Sequence, residues 1–231
     1  MFEFVTKKEV NLRKSEIEVI IHKVQDFLRE NNILTFQYHL VGSASNQRHL
    51  VTRVINGNQG FDMDYNIIIQ WVNPNHNTPE KIKKNLMQTF NKFLKGNFKY
   101  CEDSTSVFTI KKVDKQNSKI IYSYDFAIVH NFEENCKNPD YDDEYDDPKY
   151  EYFTIERQEY IYFDKSTKKY SWEVRPDAFN DHKYKEQYIK QAELWNILRE
   201  TYLQQKNLQP HKKSRIIYYE TLNQIFQKHF Y

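Results

Sequence analysis

The sequence predicts an α+β fold with a mixed β-sheet flanked by helices, followed by a C-terminal helical region. Near the start of the chain, apolar residues recur at spacings of three and four, which is the helical period. Between residues 34 and 174 most apolar runs instead alternate with polar residues, as strands do. The helical pattern dominates again after Pro176. We therefore predict a sheet-containing domain over residues 1–176 and a helical region over 177–231.

The first half of this pattern contains two helices and two strands. Residues 7–31 form the first predicted helix, and LTFQYHLV (34–41) the first strand. The polar residues 44–60 predict a long loop, with a short helix around 46–51. FDMDYNIIIQWV (61–72) is the second predicted strand. Thr78 and Pro79 mark a helix start, and this helix is expected to reach Lys95, with Gly96 as its C-terminal cap.

The second half begins with two strands, VFTIKKV (107–113) and KIIYSYDFAIVHNF (119–132), joined by a polar turn. The acidic segment DYDDEYDD (140–147) is expected to be an exposed linker. EYFTIERQEYIYF and KKYSWEV form a predicted hairpin over 151–174. From about residue 181 the period predicts two or three helices, broken near Pro210.

Overall charge and cysteine content narrow the class of protein. The chain has 34 basic and 32 acidic residues, which gives no global argument for binding nucleic acid or a membrane. Cys101 and Cys136 form no CxxC pair and are expected to be free thiols in a reducing compartment. No apolar run approaches the roughly 20 residues of a membrane span, and the N-terminus does not resemble a secretory signal. We therefore expect a cytoplasmic protein.

Three aspartates form the most specific chemical pattern. Asp62 and Asp64 are two residues apart on a predicted strand, so their side chains share one face, with core residues on the other. Asp125 is the only charged residue within the eleven-residue run 120–130, with His130 taken as neutral, and its alternate neighbours Ser123 and Ala127 are small. If the two strands are neighbours, the carboxylates meet. Grouped carboxylates repel one another unless a hard divalent cation lies between them, and two such ions serve phosphoryl transfer.

The order of motifs resembles the nucleotidyltransferase superfamily with the DNA polymerase β-type palm. The matching segments are LVGS (40–43), FDMDYNI (61–67) and YDFAI (124–128), and the resemblance covers about residues 30–130. It implies that the protein transfers a nucleoside monophosphate from an NTP to an acceptor hydroxyl and releases pyrophosphate. The twenty residues from Gly42 to Asp62 resemble the cyclic-dinucleotide-synthase and oligoadenylate-synthase-like branch, which also has a helical domain after the palm.

The resemblance also implies roles for individual residues. Asp62 and Asp64 would bind two Mg²⁺ or Mn²⁺ ions, and Asp125 would complete the second ion's site and help to activate the acceptor hydroxyl. Gly42 and Ser43 would lie against the triphosphate, where glycine lets the backbone approach and serine supplies a hydroxyl and an N–H.

A helical lobe that closes over an NTP needs cations for the phosphates and an aromatic ring for the base. Our nucleotide-binding candidates are Arg48 after the Gly-Ser turn, and Lys190 and Tyr218 in the helical region. Arg53, in the same loop as Arg48, is a candidate for contact with phosphate or acceptor, and further candidates in the helical region are Lys185, Lys212, Lys213, Arg215 and Tyr219. The tryptophans Trp71, Trp172 and Trp195 are expected to be packing residues.

Two alternative functions are open. The first is a catalytically inactive module of the same fold that binds a nucleotide or RNA. The second treats Asp62-Met63-Asp64 as a glycosyltransferase-type metal motif, but this leaves Gly42, Ser43 and Asp125 without a role. The sequence leaves the NTP open, and the acceptor is RNA, a protein, a nucleotide or a small molecule. We expect no membrane partner.

Overall fold

The computed structural model describes residues 1–45, 48–138, 152–175 and 180–230. Within these ranges the predicted α+β architecture is confirmed. The elements are β1 Phe2–Phe4, α1 Lys7–Glu30, β2 Leu34–Val41, β3 Thr52–Val54, β4 Asp62–Val72, α2 Pro79–Phe93, β5 Glu102–Asp103, β6 Phe108–Asp114, β7 Lys119–Lys137, β8 Tyr152–Asp164, β9 Lys169–Val174, α3 Asn180–Gln191, α4 Trp195–Leu208 and α5 Ser214–Phe230.

A seven-stranded mixed sheet forms the centre of the molecule. Five strands follow the order β2-β4-β7-β6-β5, while β8 pairs with the second half of β7 and β9 pairs with β8. Strands β4 and β7 run parallel, and the other pairs in this sheet are antiparallel. The parallel pair places the two aspartate-bearing strands side by side in the sheet.

The alternation along β4 and β7 divides the sheet into an apolar face and a polar face. Met63, Tyr65 and Ile67 on β4 are at most 1% exposed, and they belong to one core cluster with residues of α1 and α2. Tyr124 and Phe126 on β7 are fully buried in the same cluster. Helices α1 and α2 therefore cover the apolar face, which leaves the aspartates on the opposite face.

The C-terminal helices have their own core, and the N-terminal strand connects them to the sheet domain. Buried residues of α3, α4 and α5 cluster with Leu50 of the loop after β2. Strand β1 pairs with β3, and the Phe2 backbone N–H donates to Asn207 Oδ1 of α4 at 2.6 Å. The predicted domain boundary at 176/177 lies outside the described residues and stays a prediction.

Three local predictions were wrong. Helix α2 ends at Phe93 because Leu94 adopts an extended conformation and packs against the core; Gly96 is not its cap. Of the helix expected around 46–51, residues 48–51 are non-helical, and a 3₁₀ turn over Gly42–Ala44 stands earlier instead. Trp71 is 45% exposed, because it lies near the end of β4 on the rim of a surface cavity.

Other expectations concern the cysteines, the membrane and the acidic segment. Cys101 and Cys136 are free thiols. Among the described helices, none combines the length and the apolar character needed to cross a membrane. The acidic segment 140–147 lies outside the described residues.

Candidate active site

A cavity of about 990 Å³ lies between the polar face of the sheet and the C-terminal helices. Its walls include the Gly-Ser turn after β2, the three aspartates, and residues of α4 and α5. Of the nucleotide-binding candidates, Gly42, Ser43, Arg48 and Tyr218 line this cavity, whereas Lys190 is not among its lining residues.

Strand pairing positions the three carboxylates. Asp64 is opposite Val41 of β2 on one side and opposite Asp125 of β7 on the other. Neighbouring strands lie about 4.8 Å apart, so Asp64 and Asp125 are adjacent on the sheet surface. Asp62 lies one step earlier on the same face, opposite Ser123. The carboxylates therefore gather on one wall of the cavity, next to the Gly-Ser turn.

Two hydroxyl groups orient the outer carboxylates. The Ser123 hydroxyl donates to Asp62 Oδ1, and the Thr109 hydroxyl donates to Asp125 Oδ1 at 2.5 Å. From the sequence, Ser123 was singled out only for its small side chain. Thr109 was not predicted as a site residue, because no functional residue was proposed on its strand, β6. Both hydroxyls hold a carboxylate in place.

The central carboxylate is electrostatically disfavoured. Burial raises the pKa of Asp64 to about 6, and the negative charges of Asp125 and Asp62 add to this effect. Burial also raises the pKa of Asp125, against the opposing effect of the hydrogen bond from Thr109. A cation bound among these groups would remove both penalties, because it stabilises the ionised form.

The donor set fits hard divalent ions, since three carboxylates offer oxygen ligands alone. The residue types suit such ions, but the side chains do not form a complete coordination site. In the described part of the chain, no group of three or more His, Cys, Asp or Glu side chains is gathered tightly enough to hold a metal ion as it stands. The hydrogen bonds from hydroxyls to Asp62 and Asp125 engage Oδ1 of each carboxylate and are compatible with an ion bound at Oδ2.

Gly42 gives the central carboxylate its space. Its φ is +65°, and a Cβ at this position would lie 2.6 Å from Asp64 Oδ2. An L-residue would therefore be strained and would also displace the carboxylate. The proposed role of Gly42 against phosphate stays a prediction, while its contact with Asp64 is an additional role that sequence analysis did not foresee.

Gly60 has a comparable role just before β4. Its φ is +60°, and a Cβ there would lie 2.1 Å from the carbonyl oxygen of Ile121 on β7. The glycine therefore lets the start of β4 approach β7 closely, which brings Asp62 beside Ser123.

We expect Gly60→Ala to lower the free energy of unfolding by about 3 kcal/mol or more, because backbone atoms must move and φ is positive. Gly96→Ala is the matched control, since Gly96 also has a positive φ (+68°) but no atom within 4 Å of its Cβ position. The control should lose only about 1–2 kcal/mol. Urea unfolding measures both values, and equal losses would show that the contact with Ile121 does not matter.

A buried glutamate organises the nucleotide-binding candidates. Glu186 of α3 is 6% exposed and accepts hydrogen bonds from Arg48 Nη2 (2.9 Å), Tyr218 OH (2.6 Å) and Lys190 Nζ (2.6 Å). Burial alone would raise the pKa of Glu186, but these donors outweigh burial and lower it. The Arg48 guanidinium also lies 4.6 Å from the centre of the Tyr218 ring. Three candidates thus meet at one carboxylate, which sequence analysis missed.

Arg53 and two of the further cation candidates have partners within the protein. Arg53 pairs with Glu3 at 2.8 Å and with Glu9 at 3.0 Å, and Lys212 pairs with Glu220 at 2.6 Å. Lys185 donates to Asn223 Oδ1 at 2.8 Å. These contacts already serve the fold, which weakens the case for phosphate binding by these three side chains.

The cavity contains three further cations that the sequence did not single out, and one of them, Lys111 of β6, pairs with Glu102. Lys206 of α4 is 8% exposed, donates to the Ser214 hydroxyl and lies 4.8 Å from the Phe2 ring centre. Burial lowers its pKa, and the charge of Asp62 acts in the opposite direction. Arg175, just after β9, is the third. None of the three belongs to a local sequence motif, so only the tertiary structure reveals them.

No protein-family profile matches the sequence, and no curated protein matches it. Solved structures of Vibrio cholerae DncV do match. The GTP-bound form has a TM-score of 0.58 at 10% identity, covering 95% of this chain and 67% of that one. The 3′-deoxy GTP-bound form gives 0.53 at 10% identity, with coverages of 95% and 66%. DncV described as a cyclic AMP-GMP synthase and prokaryotic cGAS homolog gives 0.51 at 12% identity, with coverages of 86% and 60%.

The chain therefore spans about 60–67% of the length of these DncV structures. At such low identity the likeness concerns the fold and not the activity. The mixed sheet, the flanking helices and the C-terminal helical region all take part in a match that covers 95% of the chain. The chain has the nucleotidyltransferase fold.

Proposed function

We propose that the protein is a metal-dependent nucleotidyltransferase that transfers a nucleoside monophosphate from an NTP to an acceptor hydroxyl and releases pyrophosphate. The observation that carries this proposal is the placement of Asp62, Asp64 and Asp125 on adjacent strands beside the Gly-Ser turn. They line a cavity large enough for a nucleotide, in a fold shared with a GTP-bound synthase.

The site residues have separate tasks in this proposal. Asp62 and Asp64 would hold two Mg²⁺ or Mn²⁺ ions, and Asp125 would complete the second position. When bound, such ions neutralise charge that develops on the transferring phosphoryl group and acidify the acceptor hydroxyl. Gly42 and Ser43 would contact the triphosphate through the backbone and the serine hydroxyl.

The chemistry requires a proton acceptor beside the attacking oxygen. The acceptor oxygen forms a bond to the α-phosphorus, and the bond from that phosphorus to the oxygen bridging to the β-phosphate breaks. The electron pair of the broken bond leaves with pyrophosphate. Asp125 takes the hydroxyl proton in our proposal, because its carboxylate lies on the cavity wall next to Asp64.

Arg48 and Tyr218 would contact the nucleotide from the helical side of the cavity. Their contacts with Glu186 hold them in fixed positions, so they present a preorganised wall. Lys190 would act indirectly. It donates a hydrogen bond to Glu186, which in turn holds Arg48 and Tyr218, and it does not itself line the cavity.

A catalytically inactive module of the same fold is the alternative. Such a module has no need for three carboxylates that raise one another's energy. The raised pKa values of Asp64 and Asp125 are a free-energy cost to the folded state at neutral pH. This cost favours the enzyme over the inactive module, because catalysis gives a reason to keep it.

Purified protein incubated with each α-labelled NTP and Mg²⁺ or Mn²⁺, with and without cellular RNA, tests the proposal. We expect labelled product and free pyrophosphate with at least one NTP, and neither in EDTA. Saturable NTP binding without product under every combination of cation and acceptor would contradict catalysis and support the inactive module.

A further inference from the structure

Arg175 and Arg215 lie on the wall of the same cavity. Arg175 donates to Gln158 Oε1 at 2.6 Å and to Asn66 Oδ1 at 3.4 Å. Arg215, the second residue of α5, donates to the Tyr219 hydroxyl at 3.1 Å. Their hydrogen-bond partners are thus neutral.

Among the residues that the structure describes, no carboxylate pairs with either of these two guanidinium groups. Arg48 and Arg53 line the same cavity, but each forms an ion pair with a glutamate. Burial lowers the pKa of Arg175, and the positive charge of Arg215 lowers it further, so the two groups repel each other. An anion bound between them would relieve this repulsion.

The position of Arg175 relative to the carboxylates is informative. Asn66 lies on the same face of β4 as Asp64 and one step further along it, about 7 Å away. Val129 of β7 pairs with β4 on one side and with β8 on the other, so β8 lies across β7 from β4. The Arg175 backbone N–H bonds to Gln158 of β8.

The Gly-Ser turn follows β2, at the opposite flank of the carboxylates. Val41 pairs with Asp64, so the turn after Val41 lies toward Asp62 along β4, whereas the Arg175 guanidinium contacts Asn66 on the other side of Asp64. The three residue steps of β4 from 63 to 66 span about 10 Å. An NTP whose triphosphate lies at the Gly-Ser turn therefore leaves the Arg175 flank to the second substrate.

We propose that Arg175 and Arg215 bind a phosphate group of the acceptor. Guanidinium groups recognise phosphate through paired, charge-assisted hydrogen bonds. The ligand is the phosphate of a free nucleotide or a phosphodiester of a polynucleotide, close to the reacting hydroxyl. This inference rests on the proposed function and narrows the acceptor to a phosphate-bearing molecule, which disfavours a protein or an uncharged small molecule.

Calorimetry in EDTA with AMP and with a pentaadenylate RNA as probes tests the site and its two sources. The variant is Arg175→Gln with Arg215→Gln, and Arg29→Gln on the exposed surface of α1 is the control with the same charge change per residue. We expect the double variant to bind at least one probe about tenfold or more weakly, and the control to bind as the wild type does. Weaker AMP binding identifies a free nucleotide, and weakening confined to pentaadenylate identifies a polynucleotide.

Folding and function are separated by two further measurements. Arg215 is exposed, so Arg215→Gln alone should keep the fold and still weaken binding, while Arg175→Lys should restore part of the loss in the Arg175→Gln variant. Unchanged affinity for both probes, or wild-type protein that binds neither, overturns the proposal. Arginine-dependent binding without nucleotidyl transfer in any assay would support the anion site but refute the proposed function.

Discussion

Replacing Asp62 and Asp64 together by asparagine is expected to reduce nucleotidyl transfer by about 10³-fold or more, with the fold intact. Asparagine keeps the size of the side chain but removes the negative charge that two divalent ions require. The residual rate should no longer depend on the Mg²⁺ concentration. Initial rates with a labelled NTP, measured across a Mg²⁺ series, check both expectations.

The same variant should be more stable than the wild type at neutral pH in EDTA. The pKa of Asp64 in the folded state, about 6, is above its unfolded value, so the free-energy penalty of ionisation builds up as pH rises between these two values and is complete above pH 6. The wild type should become more stable as pH falls from 6 to 4. The advantage of the variant, about 1–3 kcal/mol at pH 7.5, should therefore vanish near pH 4.

Asp26→Asn is the control, because Asp26 is an exposed carboxylate on α1 far from the sheet's polar face. It should change neither the transfer rate nor the pH dependence of stability. Transfer at the wild-type rate in the double variant would refute the roles of both aspartates.

Local patterns predicted the elements that build the site. Alternation along 61–72 and 119–132 identified two strands and also the faces on which their aspartates lie. The pairing of Asp64 with Asp125 was a hypothesis that depended on the strands being neighbours, and the parallel register places them opposite each other. Periodicity succeeds here because strand geometry alone determines which side chains share a face.

Contacts between distant residues were beyond such patterns. Arg48 and Glu186 are 138 positions apart, and Arg175 and Asn66 are 109 apart. A glutamate on a helix otherwise rich in lysine gives no local sign that it is buried, since burial depends on how α3 packs against α5 and the loop after β2. The same limit explains why the neutral surroundings of Arg175 were not foreseen.

The N-terminal strand is a further feature that sequence reasoning missed. Residues 2–4 pair with β3 and contact α4, so the chain's first strand bridges the sheet domain and the helices that close the cavity. Phe2 itself lines the cavity beside Lys206. Three residues are too few to show a period, which is why this strand was not predicted.

Glu186→Gln is expected to lower the free energy of unfolding by about 3 kcal/mol, because it removes the carboxylate that compensates Arg48 and Lys190 in a buried site. Trp195 Nε1 also donates to the Arg48 carbonyl oxygen at 3.2 Å, so the loop after β2 is held to the helical region at two points. Loss of the Glu186 contact should make the Arg48 side chain more mobile and raise the KM for the NTP more than it lowers kcat.

Glu220→Gln is the matched control for this change. Glu220 also pairs with a lysine at 2.6 Å, but it is exposed, and the loss should be below about 1 kcal/mol. Because Arg48 and Glu186 act as a pair, adding Arg48→Gln to Glu186→Gln should cost much less than Arg48→Gln does in the wild type. Chemical denaturation of the wild type, the Arg48→Gln and Glu186→Gln variants and the double variant measures this coupling. Additive losses would show that Arg48 and Glu186 stabilise the molecule independently, and the loop would then be anchored by contacts other than this ion pair.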